Sequence, residues 1–201
     1  MFTIGIDMSL KSPCWVIHNK KTQYLFVYFA INRRSDDIQK EYNIEHKYIK
    51  RLILVPFDCR KMKGMIRNIC IVDQFKQSLA ERCYISENRQ NIEVYIEGYS
   101  FNAISSSRSQ LYELTGIIKY ELEKKGIPYS DIAPTRVKKL FTKKGNATKS
   151  EMYDEFIRRN MPDLLSEFGL TKNKGIANPV QDIVDATAIC LICLKTNNNS
   201  K

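Results

Sequence analysis

The chain has 201 residues, 43% of them hydrophobic, and its 32 lysines and arginines exceed its 22 aspartates and glutamates, which leaves a formal net charge of +10 at pH 7. This length and composition predict one globular domain and exclude a fibrous or intrinsically disordered chain. No apolar run approaches the roughly 20 residues that a membrane span requires, and no signal-peptide pattern is present, so we expect a cytoplasmic or intracellular protein with no membrane partner. The positive charge predicts a polyanionic partner, of which nucleic acid is the commonest.

The six cysteines lack the spacing of a disulfide framework and suit a reducing compartment. Cys190 and Cys193 have the CxxC spacing found in zinc and redox sites. No second CxxC accompanies them, however, and residues 183–194 are almost all apolar. We therefore interpret them as buried helix cysteines.

The first part of the chain is rich in Ile, Val, Phe and Tyr, which predicts three strands, at residues 2–8, 13–19 and 22–30. Their short linkers indicate an antiparallel meander. Residues 31–63 are mostly polar and charged, and we interpret them as an insertion into a domain spanning residues 1–195. This insertion contains a short strand candidate at 52–55 and a basic turn at 60–64.

The rest of the chain alternates helical and strand patterns. Apolar periodicity and capping residues predict helices near residues 65–83, 107–125, 134–141, 148–160 and 179–195. Two further strands are expected at 92–97 and 127–132, and residues 196–201 are expected to form a disordered tail. This order predicts an α/β sheet with helices packed on it.

Four carboxylates stand in apolar surroundings although they are far apart in the sequence: Asp7, Glu97, Asp182 and Asp185. Two of them end predicted strands, and the other two are spaced i, i+3 on one helical face. Burying several acids together is costly unless a cation joins them. Oxygen ligands without clustered histidines predict two Mg²⁺ ions, with Mn²⁺ as a substitute, one to activate water and one to stabilise a leaving oxygen in phosphodiester hydrolysis.

Three of these acids also have a purely structural explanation when each is considered alone. Asp7 could cap the turn that follows its strand, and Glu97 could pair with a surface lysine. Asp182 could be a first-turn acid that the helix dipole favours. The two histidines, His18 and His46, have no nearby partner in the sequence, so we do not expect a catalytic histidine.

A basic stretch covers residues 133–150 and contains no acid. Its six cations are Arg136, Lys138, Lys139, Lys143, Lys144 and Lys149. Two predicted helix starts in this stretch add backbone N–H groups that suit phosphate. We interpret it as a DNA-binding surface, the alternative being an ordinary solvated face.

Four sequence blocks, in this order, resemble those of the RuvC-type Holliday-junction resolvases, most closely the phage and viral branch. They are Gly5-Ile6-Asp7, Ile96-Glu97-Gly98-Tyr99, Pro134-Thr135-Arg136-Val137-Lys138-Lys139 followed by Gly145-Asn146-Ala147-Thr148-Lys149, and Asp182-x-x-Asp185-Ala186. The resemblance implies a ribonuclease H-like fold with a mixed five-stranded sheet flanked by helices. It also implies a homodimer acting inside an infected cell, magnesium-dependent cleavage of branched DNA, and no small-molecule cofactor.

The same resemblance implies roles for individual residues. The four carboxylates would be the metal ligands, and Lys138 and Lys149 would contact phosphate near the junction. Bacterial members wedge an aromatic residue into the junction shortly after the glutamate. Tyr99 and Phe101 both lie near that position, but neither matches the register, so the wedge stays unassigned between them. The interval from Asp7 to Glu97 is also longer than in the bacterial proteins.

The sequence therefore predicts an endodeoxyribonuclease that resolves four-way junctions by paired nicking. Two alternatives stay open: a broader nuclease that debranches flaps and forks, and a catalytically inert module that binds branched DNA. An ATPase of the sugar-kinase or actin type shares the strand-ending Gly-x-Asp pattern. Its second phosphate-binding block is missing between residues 127 and 201.

Overall fold

The structure is a computed structural model that describes residues 1–9, 12–31, 38–83, 89–98 and 107–198. The strands within these ranges are β1 Phe2–Asp7, β2 Cys14–Asn19, β3 Tyr24–Ala30, β4 Lys40–His46, β5 Ile49–Phe57, β6 Ile92–Glu97 and β7 Tyr129–Ile132. The α-helices are α1 Gly64–Cys83, α2 Ser107–Lys124, α3 Pro134–Thr142, α4 Lys149–Arg158, α5 Leu164–Glu167 and α6 Val180–Asn198. Short 3₁₀ turns cover Arg89–Asn91 and Lys172–Lys174.

The seven strands form one mixed sheet in the order β4-β5-β3-β2-β1-β6-β7. The first three strands form the predicted antiparallel meander. β6 pairs parallel to β1 and β7 parallel to β6, while on the other side β5 pairs parallel to β3. The C-terminal ends of β1, β3, β5, β6 and β7 therefore share one edge, which we call the carboxylate edge. The prediction of an antiparallel meander joined to parallel strands is confirmed.

The predicted strand number of five was wrong: the strand candidate at 52–55 is part of β5, and β4 lies with it in the segment interpreted as an insertion. In β5, Ile49, Leu52 and Leu54 are fully buried, whereas β4 exposes most of its residues at the border of the sheet. Charged side chains are common on such edge strands because they discourage pairing with other chains. The charge that made this segment resemble an irregular insertion is thus a property of its edge position.

Helices cover both faces of the sheet. The helices α3 to α6 pack on one face, and α1 and α2 pack on the other, where Trp15 stacks on Tyr28 and donates to Ser78 Oγ at 2.9 Å. The helix α6 lies unusually close to β1: a Cβ built on Gly5 would be 2.6 Å from the backbone oxygen of Ala186. This close approach brings the first turns of α6 beside the end of β1.

The C-terminal helix α6 contains two buried cysteines and is longer than predicted. Cys190 and Cys193 are buried thiols in α6, as predicted. The helix continues to Asn198, beyond the expected end near residue 195 and into the segment expected to be a disordered tail, because no Gly or Pro follows to stop it. Among the described helices, none combines the length and apolar character needed to cross a bilayer.

Candidate active site

The four predicted carboxylates meet at the carboxylate edge. Asp7 and Glu97 are the last residues of β1 and β6, which are adjacent parallel strands. Asp182 and Asp185 lie in the first turns of α6. This helix packs closely against β1 because Gly5 has no side chain. Asp7 interacts electrostatically with all three other acids. Asp7 and Asp182 are each only 6% exposed, whereas Glu97 and Asp185 are half-buried, so the cluster is open to solvent on the side of the latter two.

Burial and mutual repulsion both favour the neutral forms of these acids. Burial, followed by repulsion from Glu97, raises the pKa of Asp7 well above its ordinary value. Burial is also the main reason that the pKa of Glu97 and the pKa of Asp182 are each raised to about 7. Asp7 shares hydrogen bonds with both of these carboxyls, and a bond between two carboxyl groups requires a proton. The cluster therefore retains protons that a bound cation would displace.

Three polar side chains that the sequence analysis missed hold the helical pair of acids. Ser12 Oγ donates to Asp182 Oδ2 and accepts a hydrogen bond from Asn178 Nδ2 at 2.7 Å. Gln181 Nε2 donates to Asp185 Oδ2 at 3.3 Å. The available signal was proximity to the acids in the sequence: Ser12 follows the strand that ends at Asp7, and Asn178 and Gln181 shortly precede Asp182.

Two of the six predicted cations act on the carboxylates. Lys138 in α3 lowers the pKa of Glu97 and Asp185, against the larger effect of burial. Lys149, the first residue of α4, lowers the pKa of Asp182 and Asp185 in the same way. The helix α4 begins with a capping box between Thr148 and Glu151, which fixes the position of Lys149.

The other predicted DNA contacts are placed differently. Lys139 and Lys143 are exposed, whereas Lys144 forms an ion pair with Glu151 at 2.6 Å. Arg136 lines a cavity of about 210 Å³ together with Tyr95 and Cys193. The remaining two predicted contacts, Tyr99 and Phe101, lie outside the described residues.

The donor chemistry of the cluster fits a hard divalent cation, because all of its ligand atoms are carboxylate oxygens. The side chains are not yet arranged as a cage: within the described ranges, no group of three or more His, Cys, Asp or Glu side chains could hold a metal ion as it stands. The carboxyls hydrogen-bond to one another instead. Metal binding would therefore require the cluster to lose the protons of these hydrogen bonds and the carboxyls to separate.

Several solved structures align with nearly the whole chain. The RuvC structure from Thermus thermophilus is 16% identical, with a TM-score of 0.54 over 100% of this chain and 97% of that one. The T. thermophilus RuvC in complex with a Holliday junction substrate is 14% identical, with a TM-score of 0.55 over 99% and 96%. The yeast mitochondrial Holliday junction resolvase Ydc2 is 10% identical, with a TM-score of 0.46 over 98% and 83%.

At these identities the two RuvC structures establish the fold and nothing finer. Together with the mixed sheet and its flanking helices, they confirm the predicted ribonuclease H-like α/β fold. No family model and no curated protein matches the sequence. The assignment to a phage or viral branch therefore stays a prediction.

Proposed function

We propose that this protein is a metal-dependent endonuclease that resolves four-way DNA junctions. The observation that carries the proposal is the convergence of Asp7, Glu97, Asp182 and Asp185 at one edge of a ribonuclease H-like sheet. A structural neighbour is known in complex with a Holliday junction substrate, and this supports branched DNA as the substrate. The net charge of +10 suits a polyanion of this kind.

The four carboxylates would hold two Mg²⁺ or Mn²⁺ ions per site. Bound ions of this kind supply Lewis acidity for activating water and stabilising the leaving oxygen. For its part, the chain would have to release the protons that the hydrogen bonds of Asp7 with Glu97 and with Asp182 require. Ser12 and Gln181 keep the helical acids oriented through their hydrogen bonds. Lys138 and Lys149 lie within electrostatic range of the acids and would hold the DNA backbone beside them.

Resolution of a junction requires two nicks on symmetry-related strands, so the proposal includes a homodimer. A twofold axis would present one carboxylate cluster to each of the two strands. The apolar stripe of α2 is not available for that contact, because Leu114, Ile118 and Leu122 are buried in the core. The dimer would therefore use another surface.

One observation favours a second candidate, a protein that binds branched DNA without cutting it. In the described part of the chain the acids bond to one another and no three of them form a ready metal site. If the shared protons are not released at neutral pH, the cluster would be inert. The two candidates differ in a single measurable property, which is cleavage in the presence of metal.

The test is incubation of the purified protein with end-labelled substrates and Mg²⁺, followed by mapping of the nicks. The substrates are a mobile four-way junction, a flap and a linear duplex. We expect symmetric nicks with 5′-phosphate ends on the junction and little cutting of the duplex. Preferred cutting of the flap would indicate a debranching nuclease. Binding of the junction without cleavage in Mg²⁺ or Mn²⁺ would establish the inert module.

A further inference from the structure

A basic and apolar surface lies where β5 leads into α1, and the proposed function makes no use of it. We call it the 60–69 surface. Its members are Arg60, Lys61, Met62, Lys63, Met65, Ile66, Arg67 and Ile69. The segment supplies four cations within eight residues, and Asp58 is the sole acid between residues 58 and 72.

The sheet topology puts this surface at the carboxylate edge. The last residue of β5, Phe57, pairs with Ala30 of β3, and Cys14 of β2 pairs both with Phe29 and with Asp7. The end of β5 is therefore three strand positions away from Asp7, a separation of about 14 Å at roughly 4.8 Å per strand. Phosphates of a nucleic acid strand bound at the carboxylates would extend over that distance within a few nucleotides.

The cations of this surface are only partly neutralised. Arg60 binds Asp58 through two side-chain contacts, at 3.0 and 2.8 Å. Lys61 and Lys63 are exposed, and among the described residues neither has a carboxylate within ion-pair distance. Because α3 and α4 carry their lysines on the opposite face of the sheet, the carboxylate edge is bordered by positive charge on both sides.

The same surface exposes four large apolar side chains. Met62 is 38% exposed, Met65 49%, Ile66 69% and Ile69 49%. The inward face of α1 contributes Ile71, Val72 and Phe75 to the core, so these four side chains are additional to the core-forming set. Exposed Met and Ile beside cations match the way in which proteins engage distorted DNA, with cations on phosphates and apolar wedges between unstacked bases.

We propose that the 60–69 surface is a second DNA-binding surface, on which Lys61 and Lys63 contact backbone phosphates while Met65 and Ile66 pack against the bases at the branch point. The inference rests on the proposed function, since it assigns one arm of the branched substrate to this surface. A second copy of the chain is the less favoured occupant. A twofold contact through this surface would bring its cations against their own copies, whereas DNA supplies the complementary charge.

The charge contribution can be tested with the variant Lys61→Glu/Lys63→Glu. Its matched control is Lys20→Glu/Lys21→Glu, which makes the same charge change in the β2–β3 turn at the opposite edge of the sheet. Junction binding is measured by fluorescence anisotropy in EDTA, where no cleavage occurs. We expect the first variant to bind at least about tenfold more weakly, with the slope of log affinity against log salt reduced by about two, and the control to change less than about threefold. Equal losses in both variants would overturn the assignment.

The apolar contribution is tested with Met65→Ser/Ile66→Ser, compared on a junction and on a linear duplex. We expect a roughly fivefold to tenfold loss for the junction and no change for the duplex, with an unchanged thermal midpoint because both side chains are exposed. Unchanged junction affinity would overturn the wedge. A wild-type dimer that the substitution converts to a monomer would instead identify the surface as a contact between copies.

Failure of this inference can be distinguished from failure of the proposed function. If wild-type protein does not prefer the junction over the duplex in EDTA and does not cut it in Mg²⁺, the proposed function is wrong. If wild-type protein binds and cuts the junction while both 60–69 variants behave as wild type, only the second surface is wrong.

Discussion

The two ends of the β1–β2 pair both bury polar groups, and they differ in how those groups are satisfied. At one end Asp7 lies opposite Cys14 and belongs to a cluster of four acids. At the other end His18, 2% exposed, lies opposite Thr3, and its Nε2 is 2.7 Å from the backbone oxygen of Tyr48. Burial is the main cause that lowers the pKa of His18 to about 4, so the imidazole is neutral.

The same desolvation produces a neutral structural imidazole at one end and a candidate functional site at the other. A single histidine avoids the cost of a buried charge by losing its proton, and its Nε2 donates one hydrogen bond, although its buried Nδ1 has no hydrogen-bond partner among the described residues. Four acids that share a small volume have no such solution, because each proton that one of them retains leaves the others still repelling. A bound cation would relieve residual repulsion of this kind, which is why the proposed metal site lies at the carboxylate end.

The largest expected effect comes from removing a charge at the carboxylate end. Asp7→Asn replaces the acid that bonds to both Glu97 and Asp182, and we expect junction cleavage in Mg²⁺ to fall by roughly 10³-fold, since metal ions supply several kcal/mol. Single-turnover nicking measures the loss. Asp131→Asn, an exposed change on β7, is the control and should cut normally. Full activity in Asp7→Asn would eliminate the metal site as proposed, and Asp185→Asn provides an independent check.

The next effect concerns the histidine end and depends on pH. The folded pKa of His18, about 4, lies below its ordinary value of 6.5, so the unfolded chain binds more protons between these values and stability falls as the pH drops from 6.5 to 4. Across this range the free energy of unfolding falls by about 3 kcal/mol. His18→Gln should remove this fall. Urea unfolding at several pH values, compared with His46→Gln, measures the difference in slope. A wild-type slope in His18→Gln would show that the imidazole is not buried and neutral.

A smaller effect is expected where α6 crosses β1 between the two ends. Gly5→Ala would place a methyl group 2.6 Å from the backbone nitrogen of Cys190, so α6 must move. We expect a loss of about 1–3 kcal/mol in the free energy of unfolding, with reduced cleavage because Asp182 and Asp185 move away from Asp7. In contrast, Gly116→Ala in α2, where nothing lies within 4 Å, should gain about 0.5–1 kcal/mol. Equal effects at both positions would refute the close-packing argument.

The smallest effect separates two lysines of the basic stretch. Lys149 acts on Asp182 and Asp185, whereas Lys144 is tied to Glu151. We expect Lys149→Ala to weaken junction binding by about threefold to tenfold and to lower the salt slope by about one, with Lys144→Ala below about twofold. Anisotropy titrations in EDTA at several salt concentrations measure both. Reversal of this order would show that the carboxylate-linked lysine does not face the DNA.

The sequence was sufficient for features that depend on local pattern. Strand-ending Asp7 and Glu97 and the i, i+3 pair of acids are read directly from apolar runs and spacing, and the structure brings them together. Their supports were not predictable in this way. Ser12 contacts Asp182 across 170 positions of the chain, a contact that depends on the packing of α6 rather than on any periodicity.

The strand β4 escaped prediction for a different reason. Its burial pattern alternates only weakly, with Ile44 as its one buried residue, because it borders the sheet. The hydrophobic period that identifies a strand requires a neighbour on both sides or a covered face, and an edge strand has neither in full. The strand β4 is therefore identified by its pairing with β5, and no local sequence pattern predicts that pairing.

This edge strand also restricts how copies of the protein can associate. Its outward residues include Lys40, Glu41 and Glu45, and the opposite edge is the four-residue strand β7. A second sheet could continue this one only by pairing against a charged strand or a very short one, and both are poor templates for backbone hydrogen bonding. Copies of the protein would thus associate through helices and loops. Each copy would keep its own sheet and its own hydrophobic core.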